Sequence, residues 1–270
     1  MTSHLLVHRV TGQGPPVVFI LGAGLHGDGW KPQIDTLSSQ FTCFSFDNRG
    51  IGLSPAFESP LTIARMAEDT LALMDALRWN SAHIVGHSMG GLIAQHLALT
   101  AGKRVRSLSL LCSFARGSDA TKLSPRMFRV GMRTRVGTRS QRRRAFLETV
   151  MPPEIVAATD PISLAPIFGH DLADQPPIVM KQLSAMRKYE CVSRLGELKD
   201  LPTLVVAAEH DMIARPEYGR AMAAAISGSS YIEIPGAAHG VTIQCADRIN
   251  KILLAHLTAA ENMGNFNNET

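Results

Sequence analysis

A chain of 270 residues with 45% hydrophobic and 19% charged residues can bury the core of one large α/β domain, and this balance excludes a generally disordered chain. The net charge of +4 is mild, much of it sits between residues 126 and 144, and no basic-aromatic weave accompanies it, which argues against a nucleic-acid binder. No window of about 18 apolar residues occurs and the N-terminus MTSHLLVHRV has no signal-peptide core, so neither a membrane span nor an export signal is expected.

In chain order, residues 17–21 (VVFIL) read as a buried strand introduced by the turn Gly14-Pro15-Pro16. Residues 41–46 (FTCFSF), 83–85 (HIV) and 105–111 (VRSLSLL) are three further strands. Apolar residues at helical spacing predict helices over 30–37, 63–77 and 92–99. The middle, about 113–198, breaks the alternation: it holds seven prolines, among them Pro125, Pro152 and Pro177, and no clear strand. It reads as a helical insertion after the fourth of these strands, near the strand carboxyl ends where open α/β sheets bind ligands. Strand and helix then alternate again: strand 204–208, helix 217–226, strand 231–234, helix 241–257. This order predicts a mostly parallel sheet covered on both faces, with residues 1–112 and 199–262 as core and 263–270 as a frayed polar tail.

Cys43, Cys112, Cys191 and Cys245 are widely separated, and the first two lie in strand-like runs. They read as reduced cysteines, giving neither a disulfide framework nor a metal site, and imply a cytoplasmic setting.

The chemistry concentrates in short motifs at strand ends. Gly86-His87-Ser88-Met89-Gly90 follows one strand and opens a helix, the context that a G-x-S-x-G nucleophile elbow requires. A serine hydroxyl needs a base to take its proton, and Gly236-Ala237-Ala238-His239-Gly240 supplies His239 directly after the last strand. The base needs an anion to fix its tautomer. Asp211, at the end of the strand 204–208, takes that role, with Glu209 as a possible substitute and Asp119 as a weaker one. The glycine-rich stretch Leu21 to Gly27 lets backbone approach a substrate, and Ala23 N–H with Met89 N–H are assigned as oxyanion donors. A rival reading takes Gly22-x-Gly24-x-x-Gly27 as a dinucleotide fingerprint with Asp47 as its acid. That reading leaves Ser88, Asp211 and His239 unexplained.

These residues resemble the α/β-hydrolase family over nearly the whole chain, through the LGAG loop, the turn Phe46-Asp47-Asn48-Arg49-Gly50-Ile51-Gly52-Leu53-Ser54, GHSMGG, Asp211 and GAAHG. Trp30, Gln33-Ile34, Leu37 and the stretch from Phe41 to Ser54 are similar, within that family, to 3-oxoadipate enol-lactonases and related esterases and lactonases. The resemblance implies an α/β-hydrolase fold with the helical cap, 113–198, inserted after the sixth strand of the family's scheme. It also implies an acyl-enzyme mechanism on a small-molecule ester or lactone, with no cofactor. Serine at position 88 argues against the dehalogenase and epoxide-hydrolase branches. Two departures are visible: Leu21 stands where relatives often have histidine, and the short N-terminus leaves one strand where they often have a hairpin. Hydrolytic C–C cleavage with the same triad, and a ligand receptor without turnover, stay open as alternatives.

Eight arginines, Arg126, Arg129, Arg133, Arg135, Arg139, Arg142, Arg143 and Arg144, cluster in the insertion. One or two could bind a substrate carboxylate, or all could form a solvated helical face. Met127, Phe128, Met132, Phe168, Met180 and Met186 could line an apolar pocket or pack the cap onto the core. His26, His87 and His170 are near the site by sequence and take no assigned role.

Overall fold

A computed structural model describes residues 6–56, 60–122 and 124–266 of the chain. Seven strands, β1 (His8–Thr11), β2 (Pro16–Ile20), β3 (Thr42–Phe46), β4 (Ala82–His87), β5 (Val105–Leu111), β6 (Thr203–Ala208) and β7 (Ser230–Ile234), form one sheet in the order β1-β3-β2-β4-β5-β6-β7. All neighbours are parallel except β1, which runs antiparallel to β3 with His8 opposite Phe46. Strands β4 and β6 are buried along their whole length. Helices cover both faces, so neither strand shows an exposed polar face, and even His83, His87 and Thr203 within them are buried.

The sequence predicts no strand before residues 17–21, and β1 lies there; it pairs with β3 and not with β2, so the two form no hairpin. β1 is exposed along most of its length, so it carries none of the apolar alternation that marks a strand in sequence. Its ladder to β3 holds it, as an edge strand.

On the flanks of the sheet lie α1 (Lys31–Leu37), α2 (Ile63–Ala76) and α3 (Met89–Thr100). Between β5 and β6 the chain forms α4 (Pro125–Arg133), α5 (Arg139–Val150), α6 (Pro153–Ala158), α7 (Ala165–Phe168) and α8 (Val179–Arg187). No strand occurs there among the described residues. Local sequence sets the helix starts: Thr138 and Gln141 make a reciprocal capping box on α5. Leu147, Val150, Met151, Val156, Phe168 and Leu172 make a small hydrophobic cluster of their own, against which Leu25 and Ile213 pack from the loops after β2 and β6, and Ile243 from the segment after β7.

The chain ends with α9 (Pro216–Ala225), α10 (Val241–Gln244) and α11 (Ala246–Phe266). The single helix expected over 241–257 is broken at Cys245, whose φ of −121° and ψ of 38° leave the helical region. The Gln244 side chain ties α10 to the loop before it, accepting from Ala238 N–H and donating to Gly236 O, both at 2.9 Å. α11 continues to Phe266, past the point where fraying was expected. The rest of that tail lies outside the described residues. No helix among the described residues is long and apolar enough to cross a membrane.

The strand order fixes where a site can form. From β2 the chain moves outward to β3, then crosses back to place β4 on the other side of β2. The loops after β2 and β4 therefore diverge and leave a crevice at their carboxyl ends.

Candidate active site

Ser88 stands at that crevice, between β4 and α3, with φ 54° and ψ −119°. A left-handed backbone is costly for a residue with a Cβ, and the surroundings hold it there. Ser88 N–H donates to Leu111 O at 3.0 Å, and Ser113 Oγ donates to Ser88 O at 2.9 Å. The flanking glycines are needed for close approach. A Cβ on Gly86 would lie 2.4 Å from Gly90 O, and one on Gly90 would lie 2.0 Å from Ile20 O. Met89, the first residue of α3, is fully buried, so its N–H belongs to the positive end of that helix.

His239 reaches Ser88 from the loop after β7. Its Nε2 lies 3.0 Å from Ser88 Oγ and its Nδ1 2.7 Å from Asp211 Oδ2. The carboxylate accepts from Nδ1–H, which leaves the Nε2 lone pair facing the serine hydroxyl. The other Asp211 oxygen accepts from Ile213 N–H at 2.7 Å and Ala214 N–H at 2.8 Å, so the loop after β6 fixes the acid's orientation. The histidine loop is held by His210 N–H donating to Ala237 O at 2.8 Å and Gly240 N–H donating to Val150 O at 2.6 Å. Ser88, Asp211 and His239 are all buried.

Neither alternative acid touches the imidazole. Glu209 accepts from Gly236 N–H at 2.8 Å, and Asp119 pairs with Lys122 at 2.6 Å. The dinucleotide reading fails on the same kind of observation. Asp47 spends its Oδ1 on Gly27 N–H at 2.7 Å and lies 3.5 Å from His26 Nδ1, so the acid is committed to bracing the loop that it would have to serve. His26 also faces the His170 ring at 6.1 Å.

His87 lines the site and donates through Nε2 to the His239 carbonyl at 2.9 Å. Burial, then the neighbouring His239, pushes its pKa down to about 3, so it is a neutral imidazole. Behind Asp211, burial and then the carboxylate itself hold the Cys112 thiol well above its ordinary pKa. His87, Cys112 and His239 place ligand atoms within 4.8 Å of one another, the one such group among the described residues. Both ring nitrogens of His239 are already hydrogen-bonded, so a metal there would have to break the Ser88–His239–Asp211 chain. All four cysteines are free thiols.

The loop after β2 passes directly over Ser88: a Cβ on Gly22 would lie 3.1 Å from Ser88 Cβ and 3.5 Å from its Oγ. Gly22 and Ala23 border a cavity of about 800 Å³ that contains Ser88 and His239 at its floor. Helices α4, α5, α7 and α8 contribute the opposite wall. Of the apolar candidates, Met127, Phe168, Met180 and Met186 line it. Phe128 and Met132 are 59% and 48% exposed and point elsewhere.

The arginines divide by partner. Arg126 and Arg129 are exposed. Arg133 and Arg144 share Glu148, and Arg139 and Arg143 share Asp171, whose carboxyl they hold far below its usual range, Arg143 most strongly. Arg135 and Arg142 line the cavity. Arg135 reaches only the Met180 sulfur at 3.2 Å, and the buried Nε of half-buried Arg142 has no partner among the described residues.

One residue in contact with the site carried no sequence signal. Gln182, fully buried on α8, accepts from Gly24 N–H at 2.8 Å. Its partner is 158 residues away, and no local pattern marks a glutamine inside an amphipathic helix as anything but packing.

A parallel sheet with a serine elbow after one strand, an acid after another and a histidine after the last defines the α/β-hydrolase class. The chain belongs to that family: the family described as alpha/beta hydrolase fold matches residues 15–244. Among its relatives, a protein of Azorhizobium caulinodans with the provisional name carbamate hydrolase RutD is 27% identical over 253 residues, covering 92% of this chain and 93% of that one. The enol-lactonase of Burkholderia xenovorans LB400 superposes with a TM-score of 0.80 at 28% identity, covering 94% and 96%. A thermophilic esterase of Thermogutta terrifontis, described with malate bound, gives 0.75 at 26% identity, covering 94% and 93%.

Proposed function

We propose that this chain is a serine hydrolase that cleaves a small carboxylic ester or lactone by acyl transfer, with residues 113–198 as a helical cap over the site. The observation that carries the proposal is the placement of His239 between Ser88 Oγ at 3.0 Å and Asp211 Oδ2 at 2.7 Å. In the first step His239 Nε2 takes the Ser88 proton as Oγ attacks the carbonyl carbon, and Asp211 stabilises the imidazolium. The Ala23 and Met89 N–H groups hold the oxyanion; removing one such donor costs on the order of a hundredfold in rate. The imidazolium returns the proton to the departing alkoxide. Water, deprotonated by the same ring, then adds to the acyl-enzyme, and Ser88 leaves with the proton.

The substrate carries a carboxylate. An arginine half-buried in an apolar wall, with its Nε unpartnered, is costly until an anion meets it; Arg142 is in that position, and Arg135 lines the same cavity. The enol-lactonase and esterase likenesses support the bond class, and the malate described in that esterase is itself a dicarboxylate. Four free thiols suit a reducing, cytoplasmic setting.

The test is labelling by a fluorophosphonate probe alongside hydrolysis of p-nitrophenyl acetate, for wild type and Ser88→Ala. Labelling and turnover that vanish with Ser88 are expected, after which esters, lactones and diketones are compared as substrates. A wild type that neither labels nor hydrolyses would move the chain to the receptor reading, and turnover confined to diketones would move it to C–C hydrolysis.

A further inference from the structure

The proposed oxyanion donor, Ala23, sits on a loop that the core alone does not hold. Its immediate neighbour Gly24 has φ 79°, and a Cβ there would lie 2.8 Å from Val179 Cγ2, so this peptide is pressed directly against α8. The Gly24 N–H is taken by Gln182 Oε1 at 2.8 Å, in a fully buried hydrogen bond. The same helix sends Val179, Leu183 and Met186 into the cavity wall. One rigid element of the cap therefore touches both the space that the substrate fills and the backbone that would stabilise its transition state.

We infer that Gln182 is a positioning residue that sets the aim of the oxyanion loop from the cap. The inference rests on the serine-hydrolase reading above. An N–H contributes to catalysis only when it is already directed at the developing oxyanion, and a glycine peptide is free to rotate unless something holds it. Gln182 supplies the fixed acceptor: it restrains the Ala23–Gly24 peptide and so restricts the backbone immediately following the Ala23 N–H. The role needs a side-chain oxygen at this position, whereas simple packing needs only the volume.

The experiment compares Gln182→Met, which keeps the length and loses the acceptor, with Gln182→Glu, which keeps an oxygen there. Wild type and Ser88→Ala are first treated with the fluorophosphonate probe. A wild type without Ser88-dependent labelling defeats the hydrolase reading, and the positioning role falls with it. With an active wild type, Gln182→Met is expected to lower kcat about tenfold or more at nearly constant KM. It should weaken inhibition by phenylboronic acid, whose tetrahedral adduct uses the oxyanion donors, by a similar factor. Gln182→Glu should stay within about threefold of wild type. If the Met variant does not fold, Gln182→Asn, which withdraws the oxygen by one methylene, carries the same expectation. An unchanged kcat in the Met variant overturns the inference. So does an equal loss of kcat, KM and thermal stability in the Met and Glu variants, because that outcome marks Gln182 as packing.

Discussion

The His87 ring lies 4.9 Å from the His239 ring, centroid to centroid, and donates from Nε2 to the His239 carbonyl oxygen at 2.9 Å. Residues 152 positions apart in the chain are joined by this bond, which locks the serine elbow to the loop that carries His239. It also defines the tautomer of His87: the proton is on Nε2, and the ring is neutral because burial makes a charged imidazole costly.

Stability should therefore fall in mild acid. Burial lowers the pKa of His87 to about 3 and those of His83 and His256 to about 4, from the ordinary 6.5. A depressed histidine binds its proton more readily in the unfolded chain. Between about 6.5 and the folded values, the unfolded state thus holds more protons, and stability drops as pH drops. Each such group contributes a slope of up to about 1.4 kcal/mol per pH unit. Urea unfolding at pH 7.5, 6 and 5 should show a progressive fall in midpoint, and a flat profile across that range would contradict the burial argument.

Asp211→Asn should leave the fold intact and nearly abolish turnover. The amide matches the carboxylate in shape, and its oxygen can still accept from the Ile213 and Ala214 N–H groups that hold Asp211. Its NH2 would then face His239 Nδ1 and drive the proton to Nε2, the wrong nitrogen for accepting from Ser88. In a related triad this change costs about ten-thousandfold. A kcat for p-nitrophenyl acetate within tenfold of wild type would remove Asp211 from its assigned role.

What the sequence made legible follows the range of the forces involved. GHSMGG and GAAHG are local: strained turns and close backbone approaches need particular residues within a few positions, and the structure brings His239 and Ser88 together as those motifs suggest. Helix starts such as Thr138 at α5 are local too. β1 was illegible because an exposed edge strand is made by its partner and not by its own pattern. The sorting of the arginines was equally hidden. Arg139 and Arg142 look alike in sequence, and only folding brings Asp171 and Asp174 to the first and the cavity to the second.

That sorting can be tested by substitution. Arg142→Met keeps most of the apolar stem and removes the charge. If the guanidinium receives a substrate carboxylate, KM for a hemisuccinate ester should rise about tenfold or more, while KM for the neutral diester made by methylating its free carboxylate stays close to wild type. Arg139→Met, whose guanidinium is held by Asp171 and Asp174, should discriminate between neither. A parallel change in KM for both esters in Arg142→Met would assign that arginine to packing.

The pair Arg49–Asp69 gives a prediction about stability. Arg49 comes from the D-x-R-G turn and is 5% exposed at its side chain, and Asp69 on α2 is 15% exposed. Charges removed from water in this way need each other more than the fold needs the pair. Deleting one strands the other, at a cost of about 3–5 kcal/mol, whereas replacing both with apolar groups of similar volume is often neutral. Asp69→Ala should thus lower the urea midpoint sharply, and Arg49→Met with Asp69→Leu should recover a large part of the loss. A double variant as unstable as the single one would mean that the other interactions of Arg49, and not the ion pair, carry its contribution. The test separates these because only charge compensation predicts a recovery when the second charge is removed.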